Sequence, residues 1–203
     1  MSKVSSGGPH VVVLSGSLTP RSRTDRLARW CADECVRLGA TTNLFPGAAL
    51  EFPFYRPTLV DGFGVPEFLA ALARADGVIL LSPTYHGTPS GLLKNALDYI
   101  NDDDEDRPYL DGRPVGCVAL ASGEQGAVAN LATLRVIAHA LRGWPTPLGV
   151  ALCTLGMAQD TDGRPADVRA TQQLNVMLGQ VLSLARVHRH ARAADRVASA
   201  LPG

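Results

Sequence analysis

One short segment of the chain concentrates side chains that bind anions. The stretch SGSLTPRSRT carries hydroxyl groups on Ser17, Ser22 and Thr24 and guanidinium groups on Arg21 and Arg23. Hydroxyl groups donate hydrogen bonds to phosphate oxygens, and an arginine can neutralise the phosphate charge with paired N–H donors. The stretch therefore predicts a site for a terminal phosphate monoester. The alternative is that Ser22 and Thr24 only cap a helix.

The same stretch lacks two common nucleotide-binding motifs. It contains no Gly-Lys-Ser or Gly-Lys-Thr ending, which a P-loop requires, and no GxGxxG spacing, which marks a dinucleotide-binding unit. ATP hydrolysis and a standard NAD-binding half are therefore disfavoured.

Two later segments are suited to contact a flat ligand. One is SPTYHGTPSG, from Ser82 to Gly91, and the other is ASGEQG, from Ala121 to Gly126. Glycine lets a backbone approach a ligand closely, because it carries no Cβ atom. We expect both segments to line a binding site together with the anion-binding stretch.

The three segments follow apolar runs that read as strands. Such runs are typical of strands buried on both faces of a parallel sheet. The predicted strands are His10–Ser15, Thr41–Phe45, Gly77–Ser82, Val115–Ala121 and Pro147–Leu152. The predicted helices cover about 24–38, 66–75, 90–100, 127–141 and 166–188. This alternation predicts an α/β fold with helices on both faces of a parallel sheet, whose ligands bind beyond the carboxyl ends of the strands.

Length and composition favour a single domain. The 203 residues are 46% hydrophobic, which is enough apolar material for one sizeable core. We predict a flexible N-terminus at 1–9, one domain at 10–190 and a C-terminal tail at 191–203.

Charge and cysteine content exclude several classes of partner. The 19 basic and 19 acidic residues balance, so the chain has no net positive charge that would attract nucleic acid or an anionic membrane. Neither a membrane-spanning run nor a signal peptide is present in the sequence, and we expect a cytoplasmic location. The four cysteines lack metal-ligand spacing and are predicted to pack in the core rather than to perform redox chemistry. No metal site is predicted.

An aromatic loop follows the second predicted strand. It runs from Phe45 to Pro66 and carries Phe52, Phe54, Tyr55 and Phe63. These side chains could line a wall of the site, contact a partner subunit or tuck onto the core.

The motifs together resemble a known family. The stretch SPTYHGTPSGLLKNALDYI, with GSLTPRSRT before it and ASGEQGAV after it, is similar to the NAD(P)H-dependent FMN reductases. The similarity extends over about residues 10–155, and its central motif is P-x-Y-x-x-x-x-x-G-x-L-K-N-x-x-D after a strand. The resemblance implies a flavodoxin-like three-layer α/β/α sandwich with a five-stranded parallel sheet in the order 2-1-3-4-5.

The resemblance also implies which residues contact FMN. The phosphate and ribityl chain would be held by Ser15, Ser17, Ser22, Arg23 and Thr24, with Arg21 as the alternative arginine. The isoalloxazine ring would contact Pro83, Thr84, Tyr85, His86 and Gly87 on one side and Ser122, Gly123, Glu124 and Gln125 on the other. Many relatives carry arginine two residues after the serine that corresponds to Ser17, where this chain has Thr19. No dedicated acid or base is implied, although Tyr85 and His86 would lie near the ring.

The implied activity is hydride transfer from NADPH or NADH to FMN. Reduced flavin could serve a two-component monooxygenase, and a quinone, azo or nitro compound is the alternative acceptor. Relatives are commonly homodimers or homotetramers. Two non-enzymatic alternatives are a flavin electron carrier and an interaction module that has lost flavin. Carriers tend to be strongly acidic with a threonine-rich phosphate loop, so the neutral, arginine-containing chain favours the reductase.

Overall fold

The apolar runs of the sequence form the strands of one sheet in a computed structural model of the chain. The structure describes residues 7–57, 62–101 and 108–199, with side chains as far as residue 191. Parts of the predicted N-terminus, aromatic loop and C-terminal tail, namely 1–6, 58–61 and 200–203, lie outside the described residues. The strands are β1 (His10–Ser15), β2 (Thr41–Phe45), β3 (Gly77–Tyr85), β4 (Thr88–Pro89), β5 (Pro114–Ala121), β6 (Trp144–Pro145) and β7 (Val150–Cys153). The helices are α1 (Arg23–Arg37), α2 (Val65–Arg74), α3 (Gly91–Asp98), α4 (Glu124–Ala140) and α5 (Val168–Ser199).

The strand order confirms the predicted topology. β2, β1, β3 and β5 are neighbours in that order, and both β6 and β7 pair with β5. All of these pairs are parallel, so β6 and β7 share the fifth position of the sheet. The predicted fourth strand corresponds to β5.

The fifth strand is interrupted where the sequence predicted continuity. Pro145 and Pro147 have no N–H group to donate to a ladder, so pairing with β5 stops after β6 and resumes at Val150. Between them, the Thr146 hydroxyl donates to the Leu148 carbonyl at 2.8 Å, and Gln180 of α5 accepts the Leu148 N–H at 2.9 Å.

Three element boundaries differ from the prediction. β3 continues to Tyr85 rather than Ser82, and it pairs with β4 as an antiparallel hairpin that the sequence did not indicate. His86 and Gly87 form its turn with φ angles of 52° and 83°, as a type I′ turn requires. α4 begins at Glu124, earlier than predicted, and α5 continues to Ser199.

Alternate residues of the central strands build two separate cores. Val12 and Leu14 are fully buried against α2, α3 and α4, whereas Val11 and Val13 are fully buried against α1 and α5. Each fully buried aliphatic side chain stabilises the fold by about 1.5–3 kcal/mol. Within the described residues, no helix combines the length and the apolar character that crossing a bilayer requires.

The cysteines are free thiols, and three of them lie in the core as predicted. Cys31, Cys35 and Cys117 are buried, whereas Cys153 at the end of β7 is only half-buried. Burial raises the pKa of the Cys31 thiol well above its ordinary value and raises the pKa of Cys35 and of Cys117 to about 12. These three thiols are therefore neutral and unreactive in the folded protein.

We expect alkylation to distinguish Cys153 from the other thiols. Iodoacetamide at pH 8 should modify Cys153 in the native protein, because only this thiol has access to solvent. Mass spectrometry should detect one modification under native conditions and four in denaturant. Rapid native modification of Cys117 would contradict the described core.

Candidate functional site

Three chain segments meet at the carboxyl edge of the sheet. Ser15 at the end of β1 pairs with Leu81 of β3, and Pro83 near the end of β3 pairs with Leu120 of β5. The segments that follow β1, β3 and β5 therefore leave the sheet side by side. In chain order they are the first segment (residues 15–24), the second segment (82–91) and the third segment (121–126), which the sequence predicted to form one site.

The first segment folds into a turn that leads into α1. The Ser22 N–H donates to the Thr19 carbonyl at 3.1 Å, and Arg21 has a φ of 55° within this turn. The Ser22 hydroxyl accepts a hydrogen bond from the Asp25 N–H at 3.0 Å, which makes Ser22 the N-cap of α1. The capping role considered for Ser22 is thus confirmed, and its hydroxyl proton stays available to a ligand.

Several hydrogen-bond donors of this segment are uncommitted. Within the described part of the chain, no acceptor engages the N–H groups of Ser17, Leu18, Arg23 or Thr24. The hydroxyl groups of Ser17 and Thr24 also lack a partner there, although both residues are almost fully buried. These donors surround the positive end of the α1 dipole. A phosphate group fits this donor set, because its oxygens accept several hydrogen bonds at once.

The arginines of this segment are not fixed by the fold. The Arg21 and Arg23 side chains are exposed, on the turn and in the first turn of α1. Only the backbone of Arg23 is held, by the side-chain amide of Gln159, which donates to its carbonyl at 3.1 Å. Both guanidinium groups therefore remain available to an anion.

The buried side chain of Ser15 holds the first segment in place. Its hydroxyl donates to the Asp25 carboxylate, which also accepts the Gly47 N–H at 3.4 Å. Ser15 is fully buried, so it holds the segment in place rather than facing outward. A Cβ atom on Gly47 would lie 1.7 Å from the Ser17 carbonyl oxygen, so only glycine fits there. Sequence reasoning did not identify Asp25 or Gly47, whose partners are distant in the chain.

Two serines join the first segment to the second. The Ser90 hydroxyl donates to the Gly16 carbonyl at 2.6 Å and accepts the Leu93 N–H at 3.2 Å as the N-cap of α3. The Ser82 hydroxyl in turn accepts the Ser90 N–H at 3.0 Å. This pair of serines fixes the spacing between the two segments.

The β3–β4 hairpin presents the predicted aromatic pair to solvent. Tyr85 is 54 % exposed and His86 is exposed at the turn beside Gly87. The Asn130 side chain of α4 anchors the base of the hairpin, donating to the Thr84 hydroxyl at 2.8 Å and to the Pro83 carbonyl at 3.2 Å. The hairpin therefore has a fixed base and an accessible tip.

The third segment begins α4. Ser122, Gly123, Glu124 and Gln125 are all exposed, and Gly123 is the N-cap residue without a capping side chain. A Cβ atom on Gly123 would meet nothing within 4 Å, so open space borders this residue. Cys153 donates its thiol hydrogen to the Ser122 carbonyl at 3.2 Å.

The aromatic loop divides between core and surface. Phe52 and Tyr55 pack on the Tyr99 ring, with centroid distances of 5.6 and 5.2 Å. Phe54 and Phe63 are 86 % and 73 % exposed. Phe52 and Tyr55 thus pack on the core, which was one of the expected roles of this loop. Phe54 and Phe63 instead expose apolar surface to solvent.

Most of the chain matches one family of known proteins. The family described as NADPH-dependent FMN reductase matches residues 9–155, which is more than half of the chain. The chain belongs to this family. An FMN-dependent NADPH-azoreductase from Staphylococcus aureus strain USA300 is 30% identical over 161 residues, covering 75% of this chain and 81% of the relative.

Solved structures agree on the architecture of this FMN reductase family member. The flavoenzyme NAD(P)H:(acceptor) oxidoreductase FerB from Paracoccus denitrificans superposes with a TM-score of 0.72 at 18% identity, covering 89% of this chain and 98% of FerB. The apo form of the NADH:FMN oxidoreductase EmoB gives 0.65 at 21% identity, covering 86% and 89%. The fold is the flavodoxin-like three-layer sandwich that the resemblance implied.

Removing the Ser90 hydroxyl should weaken both the fold and the site. We expect Ser90→Ala to lower the free energy of unfolding by about 1–2 kcal/mol, because the α3 cap and the bond to Gly16 are lost. Urea unfolding measures this change. Ser183→Ala, at an exposed serine of α5, is the control and should change stability by less than about 0.5 kcal/mol. Equal effects of the two substitutions would contradict the linking role.

Proposed function

We propose that the cleft at the carboxyl edge binds FMN and that the enzyme reduces it with NADPH. The observation that carries this proposal is the set of uncommitted donors at the start of α1, which fits the phosphate of the flavin. Family membership supplies the activity class, because the family is described as NADPH-dependent FMN reductase.

The first segment would hold the phosphate and the ribityl chain. Backbone N–H groups of Ser17, Arg23 and Thr24 would donate to the phosphate, together with the Ser17, Ser22 and Thr24 hydroxyls. Exposed Arg21 and Arg23 would neutralise its charge from the solvent side. Ser15 would contribute indirectly, through its hydrogen bond to Asp25.

The second and third segments would hold the ring. Residues 83–87 of the hairpin would contact one side and residues 122–125 the other. When bound, FMN supplies the hydride and electron chemistry. The N–H groups of Glu124 and Gln125, at the positive end of the α4 dipole, would stabilise negative charge next to them. His86 lies exposed at the hairpin tip and needs no proton-transfer role in this arrangement.

We propose a planar aromatic compound as the electron acceptor. The azoreductase from S. aureus supports an azo compound, since it is 30% identical over most of this chain, and a quinone or a nitro compound is the alternative acceptor. The exposed Tyr85 ring provides an apolar face on which such a compound can stack. Release of reduced FMN to a two-component monooxygenase is the alternative use of the same site.

We also propose a homodimer or homotetramer. Phe54 and Phe63 expose apolar surface on the loop after β2, and contact with a second copy would cover it. The FMN-binding domain is proposed to comprise residues 10–190. We also propose a cytoplasmic location.

Visible spectroscopy tests the proposed function directly. The purified protein should bind added FMN saturably, and anaerobic NADPH should then bleach the flavin absorbance. Binding without bleaching by either nicotinamide would indicate an electron carrier instead. No binding would refute the flavin site. Steady-state assays with free FMN, a quinone and an azo dye then identify the preferred acceptor.

A side chain added at Gly123 should block the site without harming the fold. The φ and ψ of Gly123 are −126° and 147°, which valine adopts readily, and its Cβ would enter open space. We expect Gly123→Val to weaken FMN binding about tenfold or more, while the less favourable N-cap residue lowers the melting temperature by only about 2–4 °C. Gly179→Ala, at a glycine of α5 that also borders open space, is the control and should bind FMN normally. Normal FMN affinity in Gly123→Val would remove the third segment from the site.

A further inference from the structure

An acidic side chain lies in the first helical turn of α1, next to the proposed phosphate-binding donors. Asp25 follows Arg23 and Thr24, whose N–H groups are uncommitted at the start of α1. Its own N–H is bonded to the Ser22 hydroxyl at 3.0 Å. A carboxylate at this position is attracted by the positive end of the helix dipole, but it repels any anion that binds to the start of the same helix.

The fold fixes this carboxylate in place. It accepts hydrogen bonds from the Ser15 hydroxyl and from the Gly47 N–H, and Gly47 lies directly against the Ser17 carbonyl. Turning the carboxylate away would break both bonds and leave a buried hydroxyl unpaired. Asp25 therefore stays close to the turn whether or not an anion is bound.

The neighbouring positive charges are placed differently. Arg21 and Arg23 are exposed, so water and salt screen them strongly, whereas Asp25 is only partly accessible to solvent. The influence of Asp25 on a bound anion is therefore larger than one charge at the surface would exert.

The charge of Asp25 is not required for its contacts. Both of its partners are donors, and the carbonyl oxygen of an asparagine accepts the same two hydrogen bonds. Glutamine and asparagine are tolerated in a first helical turn. The hydrogen bonds of Asp25 thus do not need its negative charge, and that charge repels an anion bound at the start of α1.

We propose that Asp25 weakens the hold of the site on the phosphate and so makes FMN an exchanging ligand rather than a permanent one. A phosphate monoester carries a charge of about −1.5 to −2 at pH 7, so repulsion by a fixed carboxylate acts on it and not on an uncharged flavin. Asp25 is in this sense a specificity-determining residue that lowers the preference for FMN over riboflavin. The inference rests on the proposed function.

The test compares FMN with riboflavin in the Asp25→Asn variant. Dissociation constants for both flavins are measured by quenching of flavin fluorescence in the full-length protein at low salt. We expect the variant to bind FMN about tenfold more tightly and riboflavin with unchanged affinity. The gain for FMN should shrink as salt is raised to about 0.5 M. FMN should also dissociate more slowly from the variant in stopped flow.

Asp33→Asn is the matched control. It removes the same charge from an exposed position on the same helix, far from its N-terminus, and should leave both dissociation constants unchanged. Asp25→Ser provides a second uncharged variant if Asp25→Asn does not fold, as judged by circular dichroism.

Each outcome decides between the two proposals. Equal or weaker binding of FMN by the uncharged variants overturns the role of Asp25, and so does an equal gain for riboflavin. Failure of the wild-type protein to bind FMN at all refutes the proposed function instead. Tighter FMN binding with unchanged riboflavin binding supports both.

Discussion

Parallel pairing of β1, β3 and β5 obliges the chain to leave the sheet three times at the same edge. The segments after β1 and β5 lead directly into helices, whose first backbone N–H groups have no partner in a neighbouring strand. At the start of α1 and of α4 those donors also lie at the positive ends of helix dipoles. The topology thus places groups that attract anions at one edge of the sheet, and the proposed FMN site is built on them.

Hydrogen bonds hold the base of this proposed site, whereas its upper surface is exposed to solvent. Ser82, Ser90 and Gly16 form a continuous chain of hydrogen bonds, and Asn130 anchors the hairpin from the opposite side. Above them, Tyr85 and the residues at the start of α4 are exposed. Such a division suits a reductase that holds one flavin in a defined position and admits acceptors of different shapes.

Much of this arrangement could be predicted from the sequence. Continuous apolar runs such as HVVVLS specify buried parallel strands, and the order of the sheet followed from the family resemblance. Local patterns also identified the first segment and the cap residue Ser22. What they could not show is pairing between distant residues. Asp25 meets Gly47, and Ser90 meets Gly16, only because the sheet brings their elements together.

Local rules failed in the second segment for a related reason. The sequence predicted that β3 ends at Ser82, just before Pro83, yet the strand continues to Tyr85, and Pro83 still lies opposite Leu120 of β5. The short partner strand β4 and the His86-Gly87 turn then complete a hairpin. Asn130 of α4 anchors this hairpin from 46 residues further along the chain, and no local sequence pattern reveals that contact.

The position of α5 after all of the strands has a consequence for synthesis on the ribosome. Its residues Leu174, Met177, Leu178, Val181 and Leu182 fill the core on the α1 side of the sheet. Until α5 emerges, Ile79 and Leu81 of β3 and Val118 of β5 lack part of their cover on that side, whereas α1 can already pack on β1 and the opposite face can close with α2, α3 and α4. The nascent chain therefore exposes part of one apolar face of the sheet until α5 has been synthesised, a state that calls for chaperone protection or rapid docking of α5.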